Sequence, residues 1–341
     1  MFFRQYGSAL KLGLRLGTFF CLLAAAALLP QQLPQGLDPS LAVFRLAPPL
    51  LTLPEVQVQM LFSSQESLRR DALALTAKAL AERLQPELAG EQWNIQALRL
   101  PLQAGAQPEE ALVAVALSLA PEQGYLCLLE PGRQGYTFFY AEKNLLPIKH
   151  MASWPFAASS ENHLPPELIA LWEDHDETMG AFSSVERFSL WLWHNNKLQQ
   201  VFQTNTRWQL SFPQEKIWIT ARQQYQIKGR DLSLEIEGYQ EYFEGAEPAL
   251  RRDSTGNLKP LPSLGRTIRQ QYTFYPAYLA FGIGEGAWRP KADSNSIPVL
   301  LLQDLTQELE APFYSSQHEY LVKTLDGATA VVPASQLVMS Q

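Results

Sequence analysis

The sequence predicts an α+β chain, mostly antiparallel β, with three folded parts behind an apolar N-terminus. Three observations carry that expectation. Apolar residues recur at every second position through most of the chain after residue 90, the period of a strand with one covered face. One stretch, about Gln65 to Leu88, has helical periodicity instead. Gly229-Arg230 and Asp326-Gly327 join alternating runs at hairpin spacing. With 46% hydrophobic against 18% charged residues, the apolar surface suffices to offset the entropy of ordering, which excludes general disorder. The 341 residues exceed what one core usually organises, so two or three domains are expected.

Residues 1–30 read as a membrane-targeting segment. Arg4, Lys11 and Arg15 carry only positive charge, and the following run Leu16–Leu29 (LGTFFCLLAAAALL) has no charged side chain. That is the layout of a signal peptide, with Ala24–Ala27 supplying the small residues a peptidase needs. The run falls short of the roughly 20 residues that span a bilayer. Extended back to Leu12, with Arg15 snorkelling to the cytoplasmic surface, it reads equally as a retained transmembrane helix. Either way the rest of the chain is expected outside the cytoplasmic membrane, secreted or anchored. Residues 31–54 are Pro-rich and aperiodic, an extended tether.

Two cysteines set the redox chemistry. Cys21 lies in the apolar run without a lipobox, which leaves Cys127 alone in Tyr125–Leu129, an inert buried thiol with no disulfide partner. Beyond residue 30 the chain holds 24 basic and 34 acidic residues, net −10. A nucleic-acid partner would need a basic footprint, so that class is excluded, and acidic lipid surfaces are disfavoured.

Residues 55–150 read as a small α+β domain of βαβ type. Val56–Phe62 alternates and is expected as a strand. The helix follows, with Leu68, Ala72, Leu75, Ala79 and Leu80 on one face, and then strands at Trp93–Leu100, Leu112–Leu119, Tyr125–Leu129 and Tyr136–Ala141. Residues 151–290 read as an antiparallel β domain. Its strands are Leu168–Trp172, Phe188–Trp193 and Leu198–Gln203, with Glu173–Ser184 as a polar loop and His194–Lys197 as a tight turn. Lys216–Lys228 and Asp231–Phe243 form a long hairpin, and Arg266–Tyr275 and Ala277–Gly284 pair around Pro276. Strand, loop, strand, turn, strand occurs at Leu112 and again at Leu168, and Arg222-Gln-Gln-Tyr225 is echoed by Arg269-Gln-Gln-Tyr272.

In residues 294–341, an apolar strand (Pro298–Leu302) precedes Tyr320–Thr324, the Asp326-Gly327 turn, Val331-Val332-Pro333-Ala334 and Leu337. These residues resemble a bacterial SH3-type domain, which ends in a strand, an Asp-Gly turn, a strand and a Val-Pro-Ala segment leading to a terminal Leu. The resemblance implies a C-terminal SH3-like barrel. Ala330 and Val331 stand where the family usually has Gly and an aromatic residue. The middle of the chain loosely resembles uncharacterised exported bacterial proteins with propeller-like hairpins, and no residue carries over from that likeness.

No catalytic constellation stands out. Asp174, Asp176 and Thr178 alternate as the oxygens of a Ca²⁺ loop do, but the sharp-turn glycine and the bidentate Glu are each one place out of step. Asp174 and Asp176 are therefore only weak metal candidates. The five histidines lack the i, i+4 spacing of a helical zinc site, and Gly282-Ile-Gly284-Glu-Gly286 reads as a bulged strand end or turn, not a phosphate loop. No cofactor is expected. Aromatics from Trp191 to Tyr278 are read as a sheet core with cross-strand pairs. The function expected is a non-catalytic binding or scaffolding protein of the cell envelope, its partner an envelope component or protein. Its membrane contact would come through the N-terminal segment alone. Two alternatives stay open. One is an envelope hydrolase using Asp174, Asp176 and Glu177; the other is a carrier holding an apolar ligand in an aromatic-lined β cleft.

Overall fold

The structure, a computed structural model, describes residues 51–85, 93–101, 103, 107–119, 123–156, 164–178, 182–214, 217–230, 232–245, 250–252, 254–260, 264–290, 295–305 and 318–339. The expected signal or anchor run and most of the tether lie outside the described residues. Among those described, no helix is long and apolar enough to cross a membrane. The fold is mostly antiparallel β.

Strands β1 (Thr52–Leu53), β2 (Asn94–Leu100), β3 (Leu112–Leu119), β4 (Gln123–Gly132) and β5 (Gly135–Leu145) form a sheet in the order β1-β5-β4-β3-β2. Helices α1 (Glu55–Leu61) and α2 (Glu66–Leu84) carry the chain from β1 at one edge to β2 at the other. The expected βαβ-type unit is therefore not formed, since the segment read as its first strand is helical, and the last residues of the expected tether supply the edge strand β1 instead.

Helix α1 occupies the segment expected as a strand. Alternation over Val56–Met60 fits either period in so short a run. Pro54 at the N-cap and Glu55 in the first turn both favour a helix start, and the buried residues, Val58 and Leu61, are three apart while Val56 is 61% exposed. In α2 the buried side is Ala72, Thr76, Ala77, Leu80 and Ala81, and Leu75, expected inside, is 59% exposed. Small side chains let the helix lie close to the sheet, so the inner stripe follows size as well as hydropathy.

A second sheet of eight strands is a continuous meander. It runs β6 (Ile148–Pro155), β7 (Glu167–Thr178), β8 (Phe182–His194), β9 (Lys197–Gln214), β10 (Ile217–Arg230) and β11 (Ser233–Gly245). A separate hairpin, β12 (Leu250–Arg252) and β13 (Leu258–Pro260), interrupts it before β14 (Leu264–Tyr275) and β15 (Ala280–Gly282). Each strand hydrogen-bonds to the next, so the propeller-like arrangement suggested by the sequence is not formed. The stretch expected as a polar loop is strand up to Thr178 and again from Phe182. Its polar residues are partly buried, as Glu173 and Ser184 are, and partly exposed, as Asp176 is. The two meanders read as an echo, β3-β4-β5 and β7-β8-β9, stack on each other. Ala114, Ala116, Leu126 and Leu128 meet Met151, Ile169, Leu171 and Trp191, while Val113, Val115, Cys127 and Leu129 face the helices. β3 and β4 are apolar on both sides because both sides are covered.

The opposite face of the long sheet folds onto itself. Phe188 and Phe202 from its first half meet Tyr272, Phe274 and Phe281 from its second, and Phe156 at one edge lies 4.9 Å from Phe274 near the other. The outer side of β10, β11 and β14 is wet, with Arg222–Glu241, Lys228–Glu237 and Arg269–Glu235 paired across strands. Both Arg-Gln-Gln-Tyr segments point Arg outward and Tyr inward, since residues three apart on a strand lie on opposite faces.

Strands β16 (Gly284–Trp288), β17 (Ile297–Asp304), β18 (Glu319–Thr324), β19 (Thr329–Pro333) and β20 (Leu337–Met339) make the last sheet, ordered β19-β18-β17-β16-β20. A 3₁₀ turn, Ala334–Gln336, precedes β20, which pairs back on β16. At the Asp-Gly turn Gly327 has φ +90°, Asp326 accepts from the Ala328 N–H at 3.3 Å, and the Thr324 hydroxyl also donates to Asp326.

Candidate functional site

The central sheet meets its neighbours along two seams of different character. Toward the first sheet the seam is dry, and side chains satisfy the edge backbone that enters it, while the buried Arg187 Nε makes no hydrogen bond. β6 is an edge strand, and its outward backbone is satisfied by side chains of the sheet it crosses. The Gln96 amide donates to Lys149 O at 2.9 Å and accepts from the Met151 N–H at 2.9 Å. The Ser118 hydroxyl accepts from the Ile148 N–H at 2.6 Å and donates to Ile148 O at 3.1 Å. These bonds close an edge that would otherwise be open to another strand.

Glu173 lies in this seam, fully buried. Its carboxylate accepts from the Leu146 N–H at 2.8 Å and from the Ser189 hydroxyl at 3.4 Å, and Arg187 stands opposite it in the β7–β8 register. Burial pushes its pKa up, and Arg187 with the two hydrogen bonds pulls part of the way back. Its role is to fix the connection between β5 and β6.

The neighbouring acidic residues are placed on a strand, not in a loop. The Asp174 carboxylate lies 3.4 Å from Lys149 Nζ, which is also 3.5 Å from Glu186. Glu186 in turn accepts from the Thr206 hydroxyl at 2.8 Å. Asp176 is exposed. Among the described residues no three ligating side chains gather as a metal site would require. Cys127 is fully buried, and burial pushes its thiol far above the usual range. The aromatics of the long sheet fill space against each other. Farther along the strands Gln223 and Gln240 are buried but mutually satisfied. Gln223 donates to Asn205 O at 2.8 Å, and Gln240 donates to the Tyr225 hydroxyl at 2.6 Å and accepts from Arg266.

The seam with the C-terminal sheet is different. It is closed at one end, where Leu300 packs on Tyr278 and Ala280 and the Ile283 N–H donates to Leu301 O at 2.8 Å. Gly282 makes that approach possible, since a Cβ there would fall 2.5 Å from the Leu300 side chain and 2.7 Å from Leu301 O. Beside this contact the sheets part to leave a groove of about 640 Å³. Gln200–Gln203 of β9 and Ala280 and Phe281 of β15 line one wall; Leu302, Gln303, Leu321, Lys323, Gly327 and Thr329 line the other. Its size falls within the roughly 300–1,000 Å³ of small-ligand sites.

Lys323 is half-buried in this groove, and burial holds its ammonium below the usual lysine range. No described carboxylate forms an ion pair with it. Gln200 donates to Gln203 at 2.8 Å, and Thr329 is the cross-strand partner of Lys323. The described lining contains no carboxylate, histidine or cysteine. Sequence reasoning passed over these residues. The available signal was the tail's strand Leu300–Leu302 and Leu321–Val322, apolar on both faces, which implies a second covered side with Lys323 at its margin.

No family model, curated protein or solved structure matches this chain.

Proposed function

We propose that the chain is an extracytoplasmic binding or scaffolding protein of the cell envelope, without catalysis of its own. The observation that carries this reading is the groove between the central and C-terminal sheets. It offers one cation, amide and hydroxyl groups and an apolar floor, a set suited to recognition. Hydrolysis would ask for a nucleophile and a base within reach of each other, or two carboxylates facing across a cleft. Asp174 is instead drawn into a surface ion pair with Lys149. The order of the last five strands, with a 3₁₀ turn before the strand that pairs back on the first, supports the SH3-type reading of the tail. The basic start and the uncharged run Leu16–Leu29 support export, by cleavage or as an anchor. A reporter active only outside the cytoplasm, fused after Gln341, is expected to be active with the full chain and silent once residues 2–29 are deleted. A reporter that stays silent with the full chain, or that ignores the deletion, overturns the location.

A further inference from the structure

We propose that the groove between the central and C-terminal sheets binds a carboxylate carried on an extended peptide, with Lys323 as the partner of the anion. The inference deepens the binding role above and rests on it. An ammonium drawn partly out of water without a counter-ion is unfavourable, and an arriving anion that restores a partner gains what the free protein lacks. Lys323 is in that condition among the described residues, at the side of a groove and not on a convex surface. The chemistry around it fits the rest of a peptide. Thr329, its cross-strand neighbour, and Gln200 and Gln203 on β9 present hydroxyl and amide groups that match peptide N–H and C=O, while the partly exposed Leu302 and Leu321 offer an apolar surface for a side chain. A single lysine matches the single charge of a carboxylate. Phosphate is usually met by arginine forks or several donors, and a chain with net charge −10 beyond residue 30 repels polyanions.

The carboxylate can come from a peptide C-terminus or from an acidic side chain, and three probes separate the sources. These are acetyl-tetra-alanine with a free carboxylate, the same peptide amidated, and amidated acetyl-Ala-Glu-Ala. Each is titrated against the full-length chain in mild detergent. The free acid is expected to bind and the amidated peptide to bind about tenfold or more weakly, the worth of a hydrogen bond to a charged group. Binding of the Glu peptide as tight as the free acid assigns the source to side chains, and weaker binding assigns it to C-termini. Lys323→Met should remove the preference for the carboxylate and Lys323→Arg should restore most of it. A readout on the unaltered protein guards against misfolded variants: the Lys323 pKa, followed by carbon-13 NMR, should rise when the free acid binds. Equal binding of acid and amide, an unmoved Lys323, or tighter binding of inorganic phosphate overturns the proposal. These titrations do not depend on cellular location, so they can fail while the export reporter succeeds, or the reverse.

Discussion

The two seams of the central sheet are built from similar residues and end in opposite states. Where β6 crosses the first sheet, leucines and Trp191 interlock and Gln96, Ser118 and Glu173 use their side chains to satisfy backbone that would otherwise be buried unpaired. Where β15 meets β17, Leu300 packed on Tyr278 and Ala280, the close approach at Gly282 and the Ile283–Leu301 backbone hydrogen bond join the sheets, and a groove lies open beside them around Lys323. The difference teaches how burial divides labour. A seam whose edge backbone is answered by its own side chains contributes stability and leaves little room for a ligand, although the buried Arg187 Nε beside Glu173 has no hydrogen-bond partner. A seam that leaves a half-buried cation without a carboxylate partner among the described residues is less stable for it, and it is the seam proposed to bind.

The largest expected effect compares truncations on the two seams. Leu128, fully buried between the sheets, should lose about 2–5 kcal/mol of stability on change to Ala, transfer and cavity costs together. Leu302, half-buried at the groove, should lose only about 1 kcal/mol on the same change. Equal losses in denaturant unfolding would mean that the second seam is as closed as the first.

A smaller effect sharpens the comparison through pH. Burial raises the pKa of Glu173, so the folded state holds this proton more tightly than the unfolded state does. The charged form is then a liability: as pH rises through the usual carboxylate range and above it, the parent protein loses stability through this group. Glu173→Gln keeps an oxygen for the Leu146 N–H and has no proton to lose. The variant should gain on the parent as pH rises through that window. A difference independent of pH would show that Arg187 fully compensates the buried charge.

Much of the long sheet was legible in the sequence. The pair around Pro276 formed as expected, and so did the Asp326-Gly327 turn of the last sheet; the long hairpin formed too, but Gly229 and Arg230 are paired within β10 and the turn falls just after them. The misreadings have local causes. Val56–Phe62 alternates over too few residues to separate a strand from two helical turns. Glu173–Ser184 mixes polar residues that are buried, Glu173 and Ser184, with exposed ones such as Asp176, and polarity alone cannot tell such a strand from a loop. Propeller-like hairpins and a single meander share the same local pattern, and only the pairing between hairpins separates them. The groove was not legible, because it arises where β9, β15, β17 and β18 converge from distant parts of the chain. Lys323 is unremarkable until Phe281 and Leu302 are placed beside it.

The claim that the open seam binds while the closed seam only holds can be tested by amide NMR on the full-length chain titrated with acetyl-tetra-alanine carboxylate. The shifts are expected to concentrate at Lys323, Gln303, Thr329 and Gln200, and to leave Gln96, Ser118 and Met151 unmoved. Shifts spread evenly over the surface, or concentrated at the β6 seam, would contradict the account.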